Sequence, residues 1–215
     1  MLAAAVPAAA GEECLELGSG AGVASLCLAQ RSRDAKIVGV ETIDELVDLA
    51  AANAQANAFD SRVTFAIGDV FELPAELRRD FDHVFTNPPF HDPGGAKSPH
   101  PGRAAAVSDD GRLEEWLSAG MRRVRSGGTL SVILRADRVA HALNVLPHRG
   151  CRLFPLWPRS GAPANRIIVQ VRKGSREALE LLPGLVLHTA CGDYTSEADS
   201  VLRDAASLAL SSRAL

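Results

Sequence analysis

The residues whose types point most directly to chemistry are Asn87-Pro88-Pro89-Phe90, which directly follow an apolar run. The side-chain carbonyl of Asn87 and the backbone carbonyl of Pro88 can each accept one N–H, and so orient a nitrogen whose lone pair is delocalised. Two prolines stiffen this backbone, and Phe90 offers a flat face on which a base stacks with about 1–3 kcal/mol. The pattern indicates chemistry at such a nitrogen, although Asn-Pro-Pro is also ordinary turn sequence.

A glycine-rich segment between an apolar run and a helical pattern is a candidate binding loop for the second reactant. Its spacing is Gly-x-Gly-x-Gly, whereas dinucleotide loops have Gly-x-Gly-x-x-Gly, and Val23 stands where their third glycine would be. Glycines allow a tight turn and close approach of a ligand to the backbone, although such a loop also occurs simply to turn a chain. We predict that it binds S-adenosylmethionine, with S-adenosylhomocysteine as the product, and that the acid before the glycines holds the methionine amino group. The residues assigned to this loop are Glu16, Gly18, Ser19, Gly20 and Gly22.

Acidic residues follow the next two apolar runs, where an open α/β sheet binds its ligand. Glu41 ends the second run, about 20 residues after the glycines, and an acid there accepts hydrogen bonds from ribose hydroxyls. Asp69 follows the third run and is placed to accept from an adenine amino group. Each acid alone is also explained as a cap or a turn residue, but the combination predicts nucleoside binding. The residues assigned here are Glu41, Thr42, Gly68, Asp69 and Val70.

The elements that must position these residues alternate between strand and helix patterns, which is typical of a parallel sheet. The predicted strands are Cys14–Leu17, Lys36–Glu41, Val63–Ile67, Phe81–Thr86, Thr129–Leu134, Cys151–Trp157 and Arg166–Arg172. The predicted helices are Val23–Gln30, Asp44–Asn57 with Thr42 or Asp44 as its cap, Leu113–Arg125 with a stop at Gly127-Gly128, and Arg138–Leu146. The last two strands have no room for a crossover helix and should form an antiparallel hairpin.

This arrangement predicts an α/β, Rossmann-like fold, and by analogy of fold it resembles the class I methyltransferases rather than the dinucleotide dehydrogenases. It has a mostly parallel seven-stranded sheet, a C-terminal antiparallel hairpin and helices on both faces. The 215 residues suit a single domain, residues 1–215. No apolar run approaches the roughly 20 residues that a membrane span needs. The apolar segment 1–10 lacks a basic start and predicts a helix end leading into the first strand, not a secretory signal. Four scattered cysteines predict reduced thiols, a cytoplasmic protein and no metal site.

Charge distribution is more informative than the net charge of −3, which does not by itself indicate a nucleic-acid partner. Between Gly150 and Arg176 there are six basic residues and no acidic ones. That segment is either a solvated rim or a surface that faces phosphates. Arg135 could contact RNA or pair with Asp137 or Asp109, and the long loop 91–111 carries further cations. The candidates for substrate contact are Lys97, Arg103, Arg135, Arg159 and Arg166.

Taken together, the glycine loop, Glu41, Asp69 and Asn87–Phe90 resemble N-methyltransferases with an (Asn/Asp)-Pro-Pro-(Tyr/Phe) signature. More narrowly, the chain resembles the bacterial tRNA(Val) adenine-N6-methyltransferase family over nearly its whole length. The stretches that carry the likeness are Leu15–Leu28, Phe81–Phe90, Ser98–Ala106, Arg135–Arg138, Pro155–Arg159, Arg172–Arg176, Leu182–His188, Tyr194-Thr195 and Glu197-Ala198. The resemblance implies methylation of an adenine immediately 3′ of the anticodon, with Asn87, Pro88, Pro89 and Phe90 as the catalytic residues and tRNA as the partner.

Two departures from that family keep other functions open. Family members have an upstream segment, whereas this chain starts inside the helix that follows it, so we expect the N-terminal lid or substrate segment to be missing. Phe90-His91 also resembles the ribosomal RNA guanine-N2-methyltransferases. The alternatives are therefore guanine-N2 methylation of ribosomal RNA, glutamine-N5 methylation of a release factor, or a non-catalytic RNA-binding relic of the fold.

Overall fold

The chain folds around one mixed sheet in the computed structural model, which describes residues 1–89, 112–208 and 210. The strands are β1 (Glu13–Leu17), β2 (Lys36–Glu41), β3 (Val63–Ile67), β4 (Phe81–Thr86), β5 (Val124–Arg135), β6 (Cys151–Arg159), β7 (Arg166–Arg172), β8 (Glu180–Leu181) and β9 (Leu185–His188). The helices are α1 (Leu2–Ala5), α2 (Val23–Arg31), α3 (Asp44–Ala56), α4 (Leu113–Arg123), α5 (Val139–Val145) and α6 (Ser196–Arg203). Two 3₁₀ turns span Ala75–Leu77 and Ala136–Arg138.

The order of the strands confirms the predicted fold class. It runs β3-β2-β1-β4-β5-β7-β6-β8, and β9 also pairs with β6. The first five strands are parallel, while β7 is antiparallel to β5 and to β6, so the predicted C-terminal hairpin is present. Beyond the predicted seven strands, β8 and β9 add parallel to β6. The C-terminal ends of β1 to β6 and β9, together with the N-terminal end of β7, therefore share one edge of the sheet, called here the carboxyl edge.

Alternating side chains of the strands bury the sheet on both faces. Cys14 of β1 packs in a cluster with Leu28 of α2, whereas its neighbours Leu15 and Leu17 pack with Leu117 of α4. All five side chains are fully buried, and each apolar side chain of this size contributes about 1.5–3 kcal/mol on burial. A parallel sheet covered on both faces needs such nearly continuous apolar strands. The predicted helices on both faces are thus confirmed.

The predicted helix Leu113–Arg125 with a stop at Gly127-Gly128 is wrong at its C-terminal end. Helix α4 ends at Arg123, and β5 begins at once with Val124, which pairs with the start of β4. The β4–β5 pairing then shifts register, and the second glycine lies where β5 passes close to its neighbour. A Cβ atom there would clash with the backbone carbonyl oxygen of Asp82. The glycine is therefore explained by close strand contact at an irregularity, not by a helix stop.

The predicted cap of α3 is also wrong, because neither Thr42 nor Asp44 caps the helix. The N-cap residue is Ile43, which makes no side-chain capping hydrogen bond. Instead, Oε1 of Glu41 accepts hydrogen bonds from the backbone N–H of Thr42 (2.8 Å) and of Ile43 (3.2 Å). A carboxylate here also meets the positive end of the helix dipole. The strand-end acid thus has a structural role besides its predicted role in binding.

Three further features concern thiols, metals and membranes. All four cysteines are free, and burial raises the pKa of the Cys14 thiol to about 12 and of the Cys151 thiol to about 11. Over residues 1–89, 112–208 and 210, no group of three or more His, Cys, Asp or Glu side chains is arranged to hold a metal ion. Within the same ranges, every helix is too short or too polar to cross a bilayer.

Candidate active site

The loop between β1 and α2 leaves open space at the carboxyl edge. Gly18, Gly20 and Gly22 have φ angles of +69°, +51° and +81°, a left-handed conformation that side-chain-bearing residues rarely adopt. A Cβ atom on Gly22 would lie 2.6 Å from the Phe65 ring, so this glycine is needed for packing. A Cβ atom on Gly20 would meet no atom within 4 Å. The Gly20 side of the loop is therefore where a ligand can approach bare backbone.

Backbone hydrogen bonds fix this loop against the end of β2. The N–H groups of Gly18 and Ser19 donate to the Val40 carbonyl, at 2.9 and 3.0 Å. The N–H of Gly20 donates to Oε2 of Glu41 at 2.9 Å, while the other oxygen of that carboxylate holds the start of α3. Glu41 is thus held in place from both sides. A ligand at this loop would meet a carboxylate whose position is already set.

Ser19 carries a polar atom that the fold leaves unused. The residue is 6% exposed, and its Oγ has no hydrogen-bond partner among the described residues. A buried hydroxyl without a partner costs about 1–3 kcal/mol, so such an atom in a binding loop calls for an explanation. A ligand with polar groups beside Gly20 would provide the missing partner. The loop therefore fits a polar ligand better than it fits a purely structural turn.

Glu16 lies buried beneath the loop and is 3% exposed. Its Oε2 accepts hydrogen bonds from the backbone N–H (3.0 Å) and the hydroxyl (2.5 Å) of Ser25 in the first turn of α2. Burial, and to a smaller extent the charge of Glu41, raise the pKa of Glu16 to about 8, although the hydrogen bonds from Ser25 act in the opposite direction. A cationic group brought to the loop would favour the ionised form. Sequence reasoning missed Ser25, which is an ordinary residue of the helix pattern.

The turn after β3 places Asp69 at the surface. Its Oδ1 accepts a hydrogen bond from the N–H of Phe71 at 2.8 Å, which is an Asx turn. The N–H of Gly68 donates to the Glu41 carbonyl at 2.9 Å, so this turn is tied to the end of β2. Val70 is 4% exposed and packs in the core, which leaves only its backbone available to a ligand.

Asn87 follows β4 at the carboxyl edge, next to the glycine loop. The last residue of β4, Thr86, is the register partner of Leu17, the last residue of β1. The glycine loop and the Asn-Pro-Pro segment therefore leave the sheet from adjacent positions on strands about 4.8 Å apart. Asn87 is exposed, Pro88 is buried and Pro89 is half-buried. The asparagine side chain is thus accessible on a proline-stiffened base.

A buried hydrogen-bond chain braces this junction. The hydroxyl of Thr86 donates to the Leu17 carbonyl at 2.7 Å and accepts from Nε1 of Trp116 at 2.9 Å. The Trp116 ring packs so closely on Gly18 that a Cβ atom there would lie 3.0 Å away, and it meets the Phe71 ring edge-on at 5.8 Å. Trp116 thus contacts or bonds all three segments of the site. Sequence reasoning missed it, and the available signal was an aromatic residue on the apolar side of a helix.

Three of the predicted arginines, Arg135, Arg159 and Arg166, lie on the carboxyl edge, farther from the glycine loop. Arg135 at the end of β5 is the register partner of Arg166 at the start of β7, and Arg159 at the end of β6 is opposite His188. Arg159 and Arg166 are exposed. Arg135 forms a salt bridge with Asp137 at 2.7 Å, and this hydrogen-bonded partner lowers the pKa of Asp137. Of the partners considered for Arg135, the structure therefore shows Asp137.

The structure brings together all predicted cofactor residues and three of the four predicted catalytic residues. Phe90, Lys97 and Arg103 lie outside the described residues, as does Asp109. The assigned roles of all of these residues stay predictions. What the geometry adds is that the residues it describes occupy neighbouring strand ends on one edge.

Comparison with known proteins gives a family match and relatives that cover most of the chain. Residues 1–144 match the family model described as methyltransferase small domain. The chain is 30% identical over 196 residues to a tRNA1(Val) (adenine(37)-N6)-methyltransferase of Porphyromonas gingivalis, covering 86% of this chain and 76% of that protein. It is 26% identical over 213 residues to the protein of the same name from Serratia proteamaculans, covering 95% of this chain and 80% of that one.

A solved structure is similar over almost the whole chain. It is the crystal structure of a predicted O-methyltransferase from Agrobacterium tumefaciens, which superposes with a TM-score of 0.79 at 27% sequence identity. The match covers 96% of both chains.

Proposed function

Because the chain belongs to the methyltransferase small domain family, and to the family of the tRNA1(Val) (adenine(37)-N6)-methyltransferases, we propose that it methylates the N6 amine of an adenine in tRNA. The methyl donor is S-adenosylmethionine. The observation that carries the proposal is the junction of β1 and β4, where Leu17 and Thr86 are register partners. A donor in the glycine loop and an amine at Asn87 would be neighbours there. Such proximity is a large part of catalysis of a two-reactant step.

The loop residues fit this donor. Ser19 Oγ would gain the partner that it lacks, and bare backbone at Gly20 would allow close approach. Glu41 would accept from the ribose hydroxyls and Asp69 from the adenine amino group, while Glu16 would face the ammonium group. When bound, the donor supplies a methyl group on a positively charged sulfur. The protein's contribution is to hold the acceptor nitrogen in line with it.

The Asn-Pro-Pro segment favours transfer of the methyl group to a nitrogen over transfer to an oxygen. Asn87 Oδ1 and the Pro88 carbonyl oxygen are two hydrogen-bond acceptors, and an exocyclic NH2 group has two hydrogens to donate to them. A hydroxyl has only one, so it would leave one carbonyl without a partner. Both hydrogen bonds would strengthen as positive charge develops on the nitrogen. The acceptor proposed here is therefore a nitrogen, although the structurally similar protein from Agrobacterium tumefaciens is described as a predicted O-methyltransferase.

The tRNA substrate is supported by the names of the relatives and by the cations on the carboxyl edge. Arg135, Arg159 and Arg166 lie along the same edge as Asn87, and their positive charge would attract the phosphates of a bound RNA. Lys97 and Arg103 remain candidates for the same role from sequence alone. A tRNA substrate also implies that the enzyme works in the cytoplasm.

The test is methyl transfer to natural RNA. Purified protein is incubated with methyl-labelled S-adenosylmethionine and unmodified total tRNA, and the nucleosides are separated by mass spectrometry. We expect label in N6-methyladenosine, with unmodified ribosomal RNA and release factor as parallel substrates that stay unlabelled. Label on guanine N2 or on a glutamine amide would show that this group, and not adenine N6, is the methyl acceptor. A protein that binds no S-adenosylmethionine in calorimetry would instead be a non-catalytic relic.

A further inference from the structure

Two aromatic side chains stack on each other at the far end of the carboxyl edge. The rings of His188, the last residue of β9, and Tyr194 have centroids 4.7 Å apart and planes inclined by 25°. The two residues form an antiparallel backbone bridge, and Nδ1 of His188 hydrogen-bonds to the Gly192 carbonyl at 3.1 Å. Tyr194 is nevertheless 45% exposed. The pair therefore presents a flat aromatic surface to solvent.

The backbone around Tyr194 is held on both sides. Before it, the turn is closed by a hydrogen bond from the Thr189 N–H to the Asp193 carbonyl at 2.8 Å. After it, Thr195 caps α6: its hydroxyl accepts from the Ala198 N–H at 3.2 Å and donates to the Val186 carbonyl at 2.7 Å. A ring fixed in this way loses little further entropy when a ligand stacks on it.

The pair lies on the same edge as Asn87, four strands away. From β4 the sheet continues through β5, β7 and β6 to β9, so four spacings of about 4.8 Å give a separation of roughly 19 Å along the sheet. Between them lie Arg135, Arg166 and Arg159, at the ends of β5, β7 and β6. A few nucleotides of single-stranded RNA would span such a distance with phosphates near the arginines.

We propose that the His188–Tyr194 pair is a stacking site for an unpaired base of the RNA whose target adenine enters at Asn87, an inference that rests on the proposed function. The exposed acids Asp193 and Glu197 are close to Tyr194 in the chain and would repel a phosphate, so an uncharged base is the group that fits this end. Stacking is tolerant of base identity, because every base has a flat aromatic face. The arginines between the two sites would hold the backbone and the pair would fix the loop's orientation.

The experiment is equilibrium binding of a fluorescently labelled anticodon stem-loop RNA, measured by anisotropy without any turnover. Tyr194→Ala should weaken binding about tenfold, at the lower end of what one stacked base contributes. Tyr194→Phe should restore most of the affinity, since it keeps the ring and removes only the hydroxyl. Leu181→Ala is the matched control, because it removes an exposed apolar side chain (71% exposed) from the neighbouring strand β8 and should bind like the wild type.

Thermal melting separates a lost contact from a lost fold. If Tyr194→Ala melts early, Tyr194→Trp replaces it, because a larger ring that still stacks should bind at least as tightly as the wild type. Three outcomes would each overturn the stacking site. Tyr194→Ala could bind RNA as tightly as the wild type, or Tyr194→Phe could lose as much affinity as Tyr194→Ala. A folded Tyr194→Trp that binds RNA more weakly than the wild type would also overturn it. The proposed function fails separately: nucleoside analysis of the wild type would then show no N6-methyladenosine, whatever the binding series gives.

Discussion

At the scale of single residues, the exposure and the hydrogen-bond partners of each side chain determine what it can do in the candidate site. Asn87 is exposed and stands on a stiff proline segment, whereas Glu16 is buried and its pKa is raised to about 8. Thr86 is fully buried, and both of its hydrogen bonds lead to other parts of the site. Three substitutions test separately how the methyl-accepting amine is oriented, how hydrogen bonds support the site, and whether Glu16 is protonated.

Asn87→Ala should lower the rate of methyl transfer at least 100-fold, because one of the two acceptors that orient and polarise the amine is lost. The Asn87 side chain is exposed, so folding should be unaffected. Single-turnover rates measure the loss, and calorimetry with S-adenosylmethionine should give an affinity within twofold of the wild type. A variant that retains a tenth of the rate would show that Asn87 is not the orienting group.

Thr86→Val should lower kcat more than it raises the KM for S-adenosylmethionine. The substitution keeps the shape but removes the hydroxyl that bonds the Leu17 carbonyl and the Trp116 ring nitrogen. Leaving these buried groups without partners also costs about 1–3 kcal/mol of stability. Steady-state kinetics and urea unfolding measure the two effects. Thr86→Ser is the control, and its failure to restore either quantity would argue against the hydrogen-bond chain.

Glu16 should make the stability of the protein fall with rising pH. Folding raises its pKa to about 8 from an ordinary 4.5, so the folded state favours the protonated carboxyl. The corresponding stabilisation is complete below about pH 4.5 and is lost as the pH rises through about 8. Between pH 6 and pH 8.5, the free energy of urea unfolding should fall more for the wild type than for Glu16→Gln, whose side chain cannot ionise. Parallel pH profiles for the two proteins would contradict the raised pKa.

At the scale of elements, the loop between β1 and α2 combines two different demands for glycine. Gly22 is needed because the Phe65 ring of β3 fills the space of a side chain, whereas Gly20 faces open space in a left-handed conformation. The sequence pattern treats these glycines alike. Only the packing of β3 and α2 around the loop shows which glycine serves the fold and which is free to serve a ligand.

Gly20→Ala should therefore impair ligand binding far more than folding. Its strain should cost about 1 kcal/mol, since an L-residue resists the left-handed conformation. Gly11→Ala is a matched control, because Gly11 has φ +79°, has room for a Cβ atom with nothing within 4 Å, and precedes β1 at the opposite edge. We expect similar melting temperatures for both variants and loss of S-adenosylmethionine affinity only for Gly20→Ala. Equal affinities in calorimetry would remove Gly20 from the binding loop.

At the scale of the whole molecule, the sheet topology determines where the basic residues lie, which the net charge of −3 does not show. Arg159 and Arg166 are exposed on the carboxyl edge that also carries Asn87, while Arg172 ends β7 at the opposite edge and Arg176 follows it. The basic segment between Gly150 and Arg176 is thus divided between two ends of the sheet. Within this segment, Arg159 and Arg166 share the edge that carries Asn87, so the proposed RNA contact involves them and not Arg172 or Arg176.

Arg159→Ala should reduce the salt dependence of RNA binding, whereas Arg176→Ala should not. Both substitutions change the net charge equally, and both side chains are exposed. Each lost phosphate contact with a single strand lowers the slope of log affinity against log salt by about 0.7. Anisotropy titrations between 50 and 200 mM salt, about the range over which the effect is large, give both slopes. Equal slopes for the two variants would remove Arg159 from the RNA surface.

Much of the fold and site followed from sequence because the signals are local. Short apolar runs predicted β2, β3, β4 and β7 with the bounds that the structure shows, and the short β6–β7 connection required a hairpin. The strand-end residues Glu41, Asp69 and Asn87 could be assigned to one edge because parallel strands end together.

What only the tertiary structure decided depends on contacts between segments distant in the chain. Glu41, not Thr42, holds the start of α3, and Gly128 is required by the Asp82 carbonyl on β4, because nonlocal packing determines which partner each group meets. The pairing of Tyr194 with His188, and their place on the edge of Asn87, follow from β9 adding to β6. The sequence by itself determined which residues could do chemistry, while sheet order determined which of them can act on one substrate.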